Sequence, residues 1–194
     1  MKKTALIVID FINDIVDLKG KFTATAEFVD KHKVIDQANQ VIRFAREQQI
    51  PIVLVKVGFS AGYLECPAHS PVFGRAKELQ VLQLNTWGTE FHEKLAYQPT
   101  DLVIVKPRVN AFYSTALEAF LRANAIQNVI ITGVSTDMAV QTTAREAHDR
   151  DYKVFIPGDA CGAGSLEAHE ATLKTLQRVA TVIAANELTV ELLK

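Results

Sequence analysis

The stretch that most restricts the fold runs from Asn128 to Arg150, N-V-I-I-T-G-V-S-T-D-M-A-V-Q-T-T-A-R-E-A-H-D-R. Val129 to Thr132 is an apolar, β-branched run ending at Gly133. Within a few residues the pattern changes to a helix former, Met138 to Arg150, with Thr136 or Asp137 placed to cap it. A strand that passes through a short turn into a helix belongs to a parallel sheet, because parallel neighbours need a long crossover and a helix usually supplies it. In open parallel sheets ligands bind beyond the carboxyl ends of the strands, where helix N-termini present backbone N–H groups to negative charge. The turn Gly133 to Ala139 is therefore the first candidate for chemistry.

The rest of the chain repeats this theme. Thr4 to Ile9 is a continuous apolar run, as in a strand covered on both faces, and it stops at Asp10. Residues 31 to 48 place Val34, Ile35, Ala38, Val41, Ile42 and Ala45 on one helical face, and Ile50-Pro51 ends that helix before the next apolar run, Ile52 to Val57. Leu102 to Val105 reads as a third strand with Lys106 at its end. Thr115 and Glu118 then form a capping box for a helix burying Leu117, Phe120 and Leu121. Tyr152 to Ile156 and Thr181 to Ala184 are further strands around a helix, Leu166 to Val179, capped by Ser165; Leu188 to Leu193 is a terminal helix or tail. Six strand-like runs alternating with helices predict one α/β domain over residues 1–194, a three-layer α/β/α arrangement around a six-stranded, mostly parallel sheet.

Between the second and third strands, Gly58 to Thr89 is irregular and carries the aromatics Phe59, Tyr63, Phe73 and Trp87. So long a connection is usually functional or part of an interface, and it is read here as the lid and wall of a pocket. Its His69 and Glu65 make a poor metal-ligand set, and Cys66 and Cys161 lack the spacing of a zinc site or redox pair, so no metal or cofactor is expected. Both thiols read as structural, with Cys161 the one near the strand-end rim. The charges nearly cancel, 21 basic against 22 acidic residues, and no like-charged run suggests a nucleic-acid groove or a membrane anchor. No apolar stretch reaches the roughly 18 residues of a membrane span, and the chain meets Asp10 before a signal-peptide core would be complete. The expectation is a cytoplasmic enzyme acting on a small neutral or anionic molecule.

The motif T-G-V-S-T-D-M-A-V-Q-T-T-A-R resembles the signature of the isochorismatase-like, or cysteine hydrolase, superfamily. K-P-R-V-N-A-F-Y-S-T-A-L-E-A-F-L, from Lys106, and G-T-E, from Gly88, are similar to two further family segments, and D-F-I-N-D-I keeps the family's acid at Asp10 but has Ile12 and Ile15 for its glutamine and phenylalanine. The resemblance covers essentially the whole chain. It implies the family fold, an oligomer, a catalytic Asp10 with Lys106 as its charged partner, and an oxyanion turn at Val134, Ser135 and Thr136 with a cis peptide between the first two. It also implies a role in the pocket for Phe112, to which Trp87 and Phe59 are added as residues that would desolvate Asp10. Taken alone, Asp10 is as readily an ordinary strand-ending Asx turn.

At the position of the family's nucleophilic cysteine stands Ala139, whose methyl group cannot attack a carbonyl. Three readings follow. The chain is a hydrolase acting without a covalent intermediate, as isochorismatases do by protonating a vinyl ether from the aspartate; or an amidohydrolase whose nucleophile was replaced by alanine; or a silent member that binds a metabolite or partner.

Overall fold

The computed structural model describes residues 3–194, and the side chain of each apart from Thr23. Strands β1 (Thr4–Ile9), β2 (Ile52–Val57), β3 (Leu102–Lys106), β4 (Asn128–Val134), β5 (Lys153–Pro157), β6 (Cys161–Gly162) and β7 (Thr181–Ile183) form one sheet. Its order is β3-β2-β1-β4-β5-β7 with β6 beside β4, and every pairing is parallel. Six strands were expected; the seventh, β6, has only two residues and no periodicity of its own to reveal it.

Alternation of side chains divides the apolar strands between two helical layers. Leu6 and Val8 point to a core shared with helix α3 (Val34–Glu47), whose six apolar positions are buried as their spacing predicts. Ala5, Ile7 and Ile9 point to the opposite core, packed by α5 (Leu117–Ala123), α6 (Gln141–Asp149) and the end of α7 (Leu166–Leu176). The short α1 (Asn13–Val16), α2 (Thr23–Lys31) and α4 (Ala76–Leu79) lie in the connections. A third apolar cluster, including Phe59, Tyr63 and Phe73, fills the space under the long segment after β2.

Of three local expectations, one is corrected, one is decided between its two alternatives and one holds. Thr115 does not cap α5 with Glu118: its hydroxyl accepts the Leu117 N–H at 3.2 Å and donates to the Ala111 carbonyl, while Glu118 pairs with Arg122 at 2.6 Å. Of the two alternatives for Leu188 to Leu193, helix or tail, the tail is found, with Leu188 and Leu193 drawn separately into the α3-side core. Ser165 does cap α7, accepting the Ala168 N–H at 3.2 Å.

The chain winds outward from β1 through β2 to β3, then returns to place β4 on the other side of β1. Connections leaving β1 and β4 therefore diverge to opposite sides, and a crevice opens between them at the carboxyl ends.

Candidate active site

Asp10 is the first residue after β1, and Lys106 the last of β3. Although β2 separates these strands, register sets Val57 opposite Lys106, and the long lysine side chain reaches across its end to Asp10. Lys106 Nζ lies 2.7 Å from Asp10 Oδ2, with side-chain exposures of 2% and 4%. Asp10 Oδ1 accepts the Val57 N–H at 2.7 Å, and Lys106 also donates to the Arg108 carbonyl at 3.2 Å. Asp10 has φ 58°, a left-handed conformation in which aspartate is enriched. Burial pushes its carboxyl above the usual range; attraction to Lys106, its hydrogen bond and the Val57 N–H pull the other way and only partly offset this.

At the end of β4, Gly133 adopts φ 146°, and a Cβ there would fall 2.4 Å from the Ile9 carbonyl oxygen. Only glycine lets β4 pass this close to the end of β1. The Val134–Ser135 peptide is cis, as the resemblance implies. Thr136–Val140 then forms a single π-helical turn, in which the Val140 N–H donates to the Ser135 carbonyl at 3.1 Å, before α6 begins. Such turns recur at functional sites.

Neither Thr136 nor Asp137 caps this element. Thr136 is fully buried with its hydroxyl 2.9 Å from Nδ1 of His169, on α7. His169 was missed from sequence, since it lies 33 residues away with no motif around it. From the β3 side, Asn110 Nδ2 donates to the Thr142 carbonyl and the Ala111 N–H to the Thr143 hydroxyl, tying the loop after Lys106 to α6.

A cavity of about 350 Å³ opens on these groups. Asp10, Lys106, Val134, Ser135 and Ala139 all line it, so five predicted residues border one cavity. Thr136 does not; it supports the turn from behind. The three aromatics assigned to the pocket are also absent from its lining. Phe59 is fully buried in the third cluster, edge-on to Phe73 at 5.4 Å. Phe112 packs on Tyr152 with the Arg150 guanidinium over its ring, and Trp87 is 46% exposed at the surface. The walls come instead from Ile15, Phe22, Val72, Phe73, Leu82, Val109 and Met138. The long segment thus does form a wall, through Phe73 of its four aromatics together with Val72 and Leu82, because an aromatic's sequence position does not reveal which way its loop turns it.

Cys161 does not line the cavity: it is buried near the Pro157 carbonyl, 3.5 Å away, and burial pushes its thiol up to about 12. Glu65 is engaged by the Ser60 hydroxyl at 2.7 Å, and among the described residues no three His, Cys, Asp or Glu side chains are grouped to hold a metal ion.

The isochorismatase domain profile matches residues 4–187. The chain is 32% identical over 191 residues to the uncharacterized isochorismatase family protein YecD of Escherichia coli, covering 96% of this chain and 95% of that protein. It is 29% identical to the ureidoacrylate amidohydrolase RutB of Acinetobacter baylyi, covering 91% and 78% respectively. The crystal structure of an isochorismatase family protein from Desulfovibrio vulgaris superposes with a TM-score of 0.89 over 100% of both chains at 21% identity, a likeness of fold.

Proposed function

The chain belongs to the isochorismatase family, and from that premise we propose that this hydrolase of small metabolites works without a cysteine nucleophile, through Asp10 and Lys106. The observation that carries the reading is the buried Asp10–Lys106 pair lining the same cavity as Ala139. Burial favours the neutral form of Asp10, the form able to give a proton. Transfer of that proton to the carbon of a vinyl ether leaves an oxocarbenium ion. Water adds to it, the adduct collapses to a carbonyl compound and an alcohol, and Asp10 recovers a proton from the added water. Lys106 stabilises the carboxylate between these steps, and the Ser135–Ala139 turn holds the polar end of the substrate. The same reading takes the protein as a homo-oligomer.

A second reading is supported by the similarity to an amidohydrolase: the alanine replaces a working thiol in a C–N hydrolase. Two variants on one panel of vinyl ethers, amides and esters separate the readings. For protonation without a covalent intermediate, Asp10→Asn abolishes turnover, while Ala139→Cys brings no gain and no adduct by intact mass. If a nucleophile was lost, Ala139→Cys raises amide hydrolysis by orders of magnitude and a thioester can be trapped. Inactivity of parent and variants alike would favour a silent metabolite-binding member.

A further inference from the structure

Among the described residues the ionisable side chains lining the cavity are Asp10 and Lys106, and at 2.7 Å they are engaged with each other. Ser135 and Thr25 add polar atoms, and the remaining lining side chains are hydrocarbon or thioether. Arg108, just beyond β3, turns its guanidinium to the carbonyls of Glu65 and Pro107 and does not line this cavity. A carboxylate entering here would lose its water and find no free cation among the described residues of the wall. It could reach Lys106 only by displacing Asp10 and the Arg108 carbonyl, which already take hydrogen bonds from this buried ammonium.

The rim is equally apolar. Phe22, Val72 and Met138 are 36%, 46% and 38% exposed, and all three border the cavity. Apolar side chains left open around one cavity mark a surface that an apolar ligand covers. The volume, about 350 Å³, sits at the lower end of the range for ligand pockets.

We infer that the site takes a compact, uncharged substrate. Its alkyl or ring body packs against Phe22, Val72, Phe73, Leu82 and Met138, and its one hydrolysable group meets Asp10, Lys106 and the turn after β4. The inference rests on the reading of this cavity as the hydrolytic site, and it sets the chain apart from a relative whose named substrate, a ureidoacrylate, bears a carboxylate.

Matched probes test it by titration calorimetry and ligand-observed NMR on the parent protein: benzamide against benzoate, and hexanamide against hexanoate. Each amide is expected to bind at least tenfold tighter than its acid, and the two amides to compete. Met138→Arg and Val72→Arg, both at half-exposed rim positions, are expected to cut that preference at least tenfold by giving the acid a partner. Equal or tighter binding of the acids to the parent, binding that the rim variants leave unchanged, or no binding of either amide overturns the inference. The assay needs no turnover, so an amide preference without hydrolysis of any panel substrate removes the hydrolytic reading and leaves the ligand class standing.

Discussion

Asp10 must carry a proton for the chemistry proposed, yet it lies 2.7 Å from a lysine that favours the carboxylate. Burial is the larger influence, and the carboxyl is raised above its ordinary value of 3.8. The active form is then the acid, and activity on any panel substrate should fall as pH rises through the raised value. A thiol mechanism, which needs the carboxylate as base, gives the opposite slope. Stability has the same sign as the acid mechanism: the native state holds the proton more tightly than the unfolded chain, so the contribution of Asp10 declines as pH climbs through that window. Lys106→Met removes the main force holding the value down. A carbon-13 NMR titration of the Asp10 carboxyl should therefore show its midpoint move up; an unmoved or lowered midpoint contradicts this account of the pair. The acid itself stands out in the sequence because an apolar strand ends on it, whereas the outcome of burial against attraction depends on what surrounds it.

At the scale of elements, the site is held by the β4 turn and by α7 behind it. The Thr136–His169 hydrogen bond joins them in a buried setting, and leaving Thr136 without its partner should cost about 1–3 kcal/mol. His169→Phe is expected to lower the urea midpoint accordingly. Burial lowers the pKa of His169, with His32 acting in the same direction and Glu170 and Asp137 opposing. Its neutral form is therefore favoured on folding. That stability is present above the unfolded value of about 6.5 and lost as pH falls through the lowered folded value. Denaturation of parent and His169→Phe at pH 7 and 5 checks the sign: the gap between them should narrow in acid. The strand, turn and helix were legible from apolar periodicity and Gly133. The π-helical turn and its support from α7 were not, since a hydrogen bond across 33 residues leaves no local pattern.

Across the whole molecule, apolar groups remain uncovered on edge strand β3, at Leu102, Val103 and Val105, and along the segment after β2, at Leu64 and Trp87. An exposed edge of this kind invites pairing or cover. At least a dimer is expected by light scattering at micromolar concentration, with Leu64→Glu and Trp87→Ser together weakening it. A monomeric parent ends that expectation. Among the described residues no helix is long and apolar enough to cross a membrane.

The amino-acid order alone determined that apolar runs alternate with amphipathic helices, that Asp10, Lys106 and the Gly133–Ala139 turn fall at strand ends, and that the side chain at 139 is a methyl group. These are local facts, set by periodicity, turn chemistry and the identity of one side chain. Tertiary structure decided the rest. It set the strand order that opens the crevice between β1 and β4, brought Lys106 across β2 to Asp10, and let burial outweigh attraction at that carboxyl. It also turned Phe59 and Phe112 into cores and left Phe22, Val72 and Met138 around the mouth. Each outcome depends on which distant segments share a face, and hydrophobic burial rewards any apolar residue placed there without reading its position in the chain.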